Sequence, residues 1–309
     1  MNRHLNISRA AVFTPNIARR GSIALLLIAS ILLTGCAASS ASAADSPQSQ
    51  RPIENKGSDT MVNLALAWAE AYQAEYPDVR ISVTGGGSGT GIAALINGTV
   101  DIANASRAIK DEEKEKARAN GVDPIEFIVA RDAIAIIVNP ANPVNQLSLP
   151  QLSAIYRGEI TNWKGIGGED RPIVLLSRET NSGTHVFFLE NVVRLGQKEN
   201  KDLFSPDTLL MPSSEGISAE VRQNPNAIGY DGLGYVTDDM KTLAVAASDE
   251  GLFVLPTIAT VDDKSYPIAR DLYIYTRGEP AGQVKEYMEW MLGPTAQKIV
   301  AELGFVPVK

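Results

Sequence analysis

From Pro52 onward, short apolar or alternating runs take turns with segments of helical periodicity, and this alternation is the tightest constraint on the fold. "TMVNLALAWAEAYQAEY" (60–76) carries an apolar helical stripe that Pro77-Asp78 breaks. "VRISV" (79–83) alternates like a strand, and the glycine-rich "GGGSGTG" (85–91) leads from it into a short helix, "IAALINGTV", stopped at Asn97-Gly98. "VDIANAS" returns as a strand, and "DEEKEKARANG" is a solvated helix starting at Asp111. "IEFIVARDAIAIIVNPANPV" (125–144) holds two strand-like runs before two prolines and reads as a crossing into a second domain. That domain has helices at "SLPQLSAIY", "SGTHVFFLENVV" and "SEGISAEVRQNP", a buried strand at "PIVLLS", and a glycine-flanked apolar run, "IGYDGLGYV". "RDLYIYT" (270–276) crosses back to two closing helices split at Gly293-Pro294. Strands alternating with helices predict α/β layers with mostly parallel sheets, and 309 residues suffice for two domains.

The N-terminus stands outside this pattern. Arg3, Arg9, Arg19 and Arg20 precede "GSIALLLIASILLTGC", a charged region followed by an apolar core shorter than the ~20 residues a bilayer span requires. Leu33-Thr34-Gly35-Cys36 is similar to a bacterial lipobox, and the small polar stretch after it has nothing to bury. The expectation is a signal peptide over 1–35, a lipid-modified Cys36, and a flexible tether over 36–51. It places the folded part in the cell envelope, outside the cytoplasmic membrane, held to membrane lipid through Cys36. Cys36 is also the only cysteine, which rules out an intrachain disulfide. Removing residues 1–35 takes away four arginines and no acidic residue, so the formal net charge goes from −8 to −12. Such a body repels nucleic acid, and aromatic residues at 6% supply few stacking surfaces for single strands. Any anion it binds must be captured by short, directed hydrogen bonds.

Three times a strand-like run ends in a turn rich in Ser, Thr or Gly that opens a helix. These are "ENKGSDT" before Thr60, "ISVTGGGSGT" before about Gly91, and "IVLLSRETNSGT" before about Thr184. A helix start offers unpaired N–H groups and partial positive charge, hydroxyls add donors, and glycine admits close approach. One such turn is usually a plain N-cap. Three of them, with Arg107 after "VDIANAS" and Arg178 after "IVLLS", point to an oxyanion site in an interdomain cleft. The glycine stretch is not nucleotide chemistry: it lacks the lysine of a P-loop and the spacing of the dinucleotide fingerprint. His185 is the single histidine left after processing, which nearly excludes a histidine metal site or a Ser-His-Asp triad. Ser182 or Ser88 beside His185 would be the components of a hydrolase; a histidine flanking a helix start is the plainer reading.

Taken in order, "KGSDTMVNLALAWAEAY", "VTGGGSGTGIAALINGTVDIANASRAIKDEE", "GEITNWKGIGG", "LSRETNSGTHVFF", "NPNAIGYDGLGYV" and "GPTAQKIVAELGFVPV" resemble the phosphate-binding proteins of ABC phosphate importers, the PstS family. The resemblance runs from about Pro52 to Lys309. It implies a type II periplasmic-binding fold: two α/β lobes with mixed sheets and a ligand cleft between them. Lobe 1 would comprise 52–138 and 272–309, and lobe 2 would comprise 139–271. It further implies a monomeric receptor without enzymatic activity, metal or cofactor, whose partners are inorganic phosphate and a membrane permease/ATPase complex. The implied phosphate ligands are Ser58 and Thr60 in the first loop and Ser88 with the backbone N–H groups of Gly89 and Thr90 in the glycine loop; Asp59, between Ser58 and Thr60, and Ser106 and Arg107, after the next strand, join them on their own positions in these turns. Arg178, Ser182, Gly183 and Thr184 would serve from the second lobe. Some relatives carry an aspartate near the position aligned with Arg107, so the acceptor for the ligand's proton has to come from elsewhere. Asp59 reads either as that acceptor or as an N-cap. A sulfate or molybdate receptor would use the same lobes with donors only, a secreted phosphatase would turn over esters, and an adhesin would bind no tetrahedral anion.

Overall fold

The computed structural model describes residues 51–308. The signal segment, Cys36 and the tether up to residue 50 therefore lie outside the described residues. Arg51 at the tether's end is ion-paired with Asp101.

The chain opens with β1 (Ile53–Gly57), a 3₁₀ turn at Asp59–Met61, α1 (Val62–Glu75), β2 (Ile81–Thr84), α2 (Ser88–Ile96), β3 (Ile102–Ala105) and α3 (Asp111–Ala119). The long β4 (Ile125–Val138) follows. Then come β5 (Gln146–Ser148), α4 (Leu149–Tyr156), β6 (Val174–Arg178), α5 (Gly183–Phe188), β7 (Leu209–Met211), α6 (Ser214–Gln223), β8 (Ala227–Gly232), β9 (Lys241–Ala246) and α7 (Ile258–Asp262). β10 (Ala269–Thr276), α8 (Gly282–Met291) and α9 (Pro294–Glu302) close the fold. None of the helices among the described residues is long and apolar enough to cross a membrane.

The strands form one sheet in the order β2-β1-β3-β10-β4-β8-β6-β7, with β9 and β5 branching from β4. Pairing is mixed rather than mostly parallel. β1 runs parallel to β2 and β3, and β6 parallel to β7 and β8, whereas β4 and β10 run antiparallel to their neighbours. Two crossing strands, one outward and one returning, impose that reversal.

β4 is also one strand of 14 residues where the sequence suggests two runs. Arg131 and Asp132 interrupt its apolar pattern, and the tertiary structure absorbs them. Asp132 faces Arg270 in the β4–β10 register and forms a buried ion pair with it at 2.8 Å. β4 pairs with β10 through Ala133 and with β8 from Ile134.

Separate cores lie to either side of this change of partner. Leu64, Trp68 and Tyr72, one stripe of α1, pack with Leu272, Tyr287, Met291 and Val300. The indole of Trp68 donates to Ala296 O at 3.0 Å and ties α1 to α9. On the other side, Ile136, Leu152, Tyr156, Phe188, Ile228 and Tyr230 form the larger cluster. Each fully buried side chain of this size contributes about 1.5–3 kcal/mol relative to exposure. α4 starts where its residues dictate: Ser148 and Gln151 form a reciprocal capping box.

Candidate functional site

The three strand-to-helix turns meet where the two halves of the sheet face each other. β1 ends at Gly57, and the next residue, Ser58, stands at the N-cap of the 3₁₀ turn without making a cap bond. Its buried hydroxyl has no hydrogen-bond partner. Asp59 does not cap the helix either. Its Oδ2 reaches across to the second half of the molecule, accepting from Ser214 N at 2.8 Å and lying 3.1 Å from Arg178 Nη1. Thr60 is buried, with Oγ1 2.7 Å from the hydroxyl of Thr184 and 3.4 Å from Arg270 Nη2.

In the glycine loop, α2 begins three residues earlier than the sequence suggests, at Ser88. Gly87 is the N-cap with φ 92°, and a Cβ there would lie 2.7 Å from Asn181 O. Ser88 is therefore the first helical residue, fully buried, and its Oγ accepts from Ser106 N at 3.0 Å and lies 3.3 Å from Ser106 Oγ. Gly183 seats against this pair so tightly that a Cβ on it would lie 2.3 Å from Ser88 Oγ and 2.6 Å from Ser106 Oγ. Ser182 caps α5, accepting from Thr184 N at 3.2 Å and His185 N at 3.4 Å.

Three of the expected ligands are engaged elsewhere. Gly89 N donates to Asn181 O at 3.0 Å, a contact between the two halves. The N–H of Thr90 donates to Gly87 O at 3.1 Å and its hydroxyl to Gly86 O at 2.6 Å, both inside its own loop. Arg107 forks onto Glu113, with contacts of 2.8 and 2.7 Å, and also donates to Ala108 O at 2.9 Å. Burial of Glu113 resists ionisation, but hydrogen bonds from Arg107 and from Lys110 N outweigh it and hold the carboxyl below its ordinary range. Only the Nε of Arg107 is left buried without a partner. A cavity of about 350 Å³ opens beside it, lined in part by Lys110, Phe187, Glu190, Arg270 and Tyr273.

Arg178, the last residue of β6, is 1% exposed and thoroughly held. Nη1 donates to Ser214 Oγ at 2.9 Å and Nη2 to Pro212 O at 3.0 Å. The guanidinium is fixed against the β7–α6 connection with Asp59 in front of it. Such a fixed, planar fork suits an oxyanion better than a mobile ammonium.

Sequence reasoning missed Arg270, Asp132, Ser214, Asn181 and Asp231. Arg270 donates to Ser106 O at 3.1 Å as well as to Asp132, so it braces the turn that carries Ser106. Arg131-Asp132 and Arg270-Asp271 were visible as charges inside strand-like runs, a signal for buried pairing. His185 does not approach Ser88 or Ser182 with its ring. Nδ1 lies 3.0 Å from Ser177 Oγ, which is 2.6 Å from Tyr230 OH. Burial lowers the pKa of His185 despite an opposing influence from the Arg178 backbone.

Known proteins share this architecture. Residues 38–295 match the PBP superfamily domain. Phosphate-binding protein PstS of Pseudomonas aeruginosa is 32% identical over 273 residues, spanning 83% of each chain. Phosphate-binding protein PstS of Bacillus subtilis is 36% identical over 253 residues, 82% of this chain and 79% of that one. A Clostridium perfringens structure assigned as a phosphate ABC transporter substrate-binding protein, with bound phosphate, is similar with a TM-score of 0.75 at 34% identity. The match covers 84% of this chain and 100% of that one. An ABC-type phosphate transport receptor from Vibrio cholerae is similar with a TM-score of 0.65 at 32% identity, over 82% and 99% of the two chains. A fixed arginine and buried hydroxyls between two α/β halves thus occur here in a chain that belongs to the PstS phosphate-binding protein family of the PBP superfamily.

Proposed function

We propose that the mature chain is a lipid-anchored extracytoplasmic receptor that captures inorganic phosphate and hands it to the permease/ATPase complex of an ABC phosphate importer. The anion sits between lobe 1 (52–138 and 272–309) and lobe 2 (139–271). The observation that carries this reading is the convergence, from opposite halves, of Ser88, Ser106 and Thr60 with Gly183 and Thr184, and of Asp59 with Arg178. The unpartnered hydroxyl of buried Ser58 adds a donor to the same turn. The relatives named above agree in class.

The chemistry is that of holding. A charge-assisted hydrogen bond contributes about 1.5–3 kcal/mol. Arg178 with several neutral donors therefore reaches micromolar affinity, about −8 kcal/mol, without difficulty. Ser58, Ser88, Thr60, Ser182, Thr184 and the Gly183 amide supply the neutral donors. The N–H groups of Gly89 and Thr90 and the Arg107 side chain join only if their present bonds to Asn181, Gly87 and Glu113 open. Asp59, whose Oδ2 takes two contacts and whose Oδ1 lies near Gly85 of the glycine loop, is the acceptor assigned here to the proton that phosphate carries and sulfate lacks. A required bond of this kind rejects the analogue lacking it by ~10⁴–10⁵ in favourable cases. His185 is bound to Ser177 rather than to a candidate nucleophile, which favours a receptor over a phosphatase.

Calorimetry of the folded region against phosphate, sulfate, molybdate and arsenate tests the reading. Saturable phosphate binding at micromolar or tighter affinity, with sulfate far weaker, is expected; equal affinities or no binding would sink it. The anchor has its own test. Cys36→Ala should release the protein from detergent-extractable membranes or leave it unprocessed, and a wild-type N-terminus other than Cys36 would contradict the lipobox reading.

A further inference from the structure

Asp231 has no part in the reading above. It lies on β8, within "GYDGLGYV", and is fully buried. Its Oδ1 takes two hydrogen bonds, from the Ser214 hydroxyl at 2.8 Å and from Gly232 N at 2.8 Å. Its Oδ2, equally shut off from solvent, has no hydrogen-bond partner. An ionised carboxylate buried this way would bear the desolvation penalty of a bare charged oxygen. A neutral carboxyl, with the proton on Oδ2 and both accepted bonds on Oδ1, fits the same geometry at lower cost.

Ser214 links this group to the cleft. It spends its one O–H on Asp231 and accepts from Arg178 Nη1 at 2.9 Å, so a single hydroxyl separates Asp231 from the guanidinium. The charged and titratable groups around Asp231 come from every neighbouring element. Arg178 lies on β6, and Asp59 lies beyond it in the first loop. Glu215 is on α6, Asp132 on β4 with its partner Arg270 on β10, and Tyr230 and Tyr235 are on β8 and the turn after it. Burial dominates and pushes the Asp231 carboxyl up to about 7. Ser214, Arg178 and Gly232 N pull it down, and Asp132 adds to the rise.

We propose that Asp231 is a positioning residue that couples the anion affinity of the cleft to its own protonation. Neutral, it leaves the charge of Arg178 to the bound anion; ionised, it competes through Ser214 for that guanidinium. The inference rests on the phosphate-receptor reading and goes beyond it by naming what sets the affinity near neutral pH.

The test is the dissociation constant of inorganic phosphate for the wild type and Asp231→Asn, measured by calorimetry at constant ionic strength from mildly acidic to mildly alkaline pH. The titration of phosphate itself is common to both proteins, so the ratio of their constants isolates Asp231. That ratio should be level below about pH 6 and rise through neutrality, with the wild type about 3–10-fold weaker relative to the variant by pH 8.5. If Asp231→Asn fails to fold, Ser214→Ala breaks the same link, and the ratio against it should show the same rise. A ratio that stays flat while the wild type binds phosphate overturns this inference alone. Failure of the wild type to bind phosphate overturns the receptor reading and this inference together.

Discussion

Arg178 is the residue on which the proposed site turns, because it meets one acidic side chain directly and a second through a hydroxyl. Asp59 meets it from the first loop, and Asp231 reaches it through Ser214. Removing the guanidinium takes a charged donor away from the anion and leaves Asp59 without its ion-pair partner, and truncating one partner of a buried hydrogen-bonded charge pair costs about 2–5 kcal/mol. Arg178→Ala should therefore weaken phosphate binding by at least about 100-fold in a calorimetric titration. A loss under threefold would remove Arg178 from the site. The unliganded protein carries a second residue-scale signature. Asp231 titrates near its folded value of about 7, above the ordinary carboxylate value of the unfolded chain. Its contribution to stability is thus full below about pH 4 and is lost as pH rises towards 7. The melting-temperature difference between wild type and Asp231→Asn should move against the wild type across that window and level off above it. Constancy across the window would mean that Asp231 is ionised throughout.

At the scale of elements, the sequence disclosed local chemistry well and long-range register poorly. The three hydroxyl-rich turns were legible because capping and anion binding depend on neighbours along the chain. Ser182 does cap α5, and the turns do meet. Where α2 starts was misjudged by three residues, since the positive φ of Gly87 is a property of its contact with Asn181 rather than of a local pattern. Arg107 reads in sequence as an oxyanion ligand, but α3 folds back to put Glu113 onto it. Ser214 and Asp231 were invisible because only the placement of α6 against β8 and β6 brings them to Arg178. Contact between elements also makes Gly183 a sharp test. A methyl group there collides with both Ser88 and Ser106, so Gly183→Ala should hold α5 away from α2. Phosphate affinity should fall about tenfold or more while the unliganded melting temperature shifts little, as each lobe keeps its own core. Unchanged affinity would show that α5 does not close on α2 when the anion binds.

For the whole molecule, β4 and β10 are the two strands through which both halves of the sheet are joined, and the Asp132–Arg270 pair sits at the change of partner. An anion that touches both halves favours the state in which they are together, through its differential contacts. Phosphate should accordingly raise the melting temperature and reduce the radius of gyration in small-angle scattering, with neither change in Arg178→Ala. The most direct measurement is a crystal structure of the folded region grown with saturating phosphate. The account predicts one tetrahedral anion within hydrogen-bond distance of Arg178 and Thr184 from one half and of Ser88 or Thr60 from the other. An anion held by one half alone, or none between them, would contradict it.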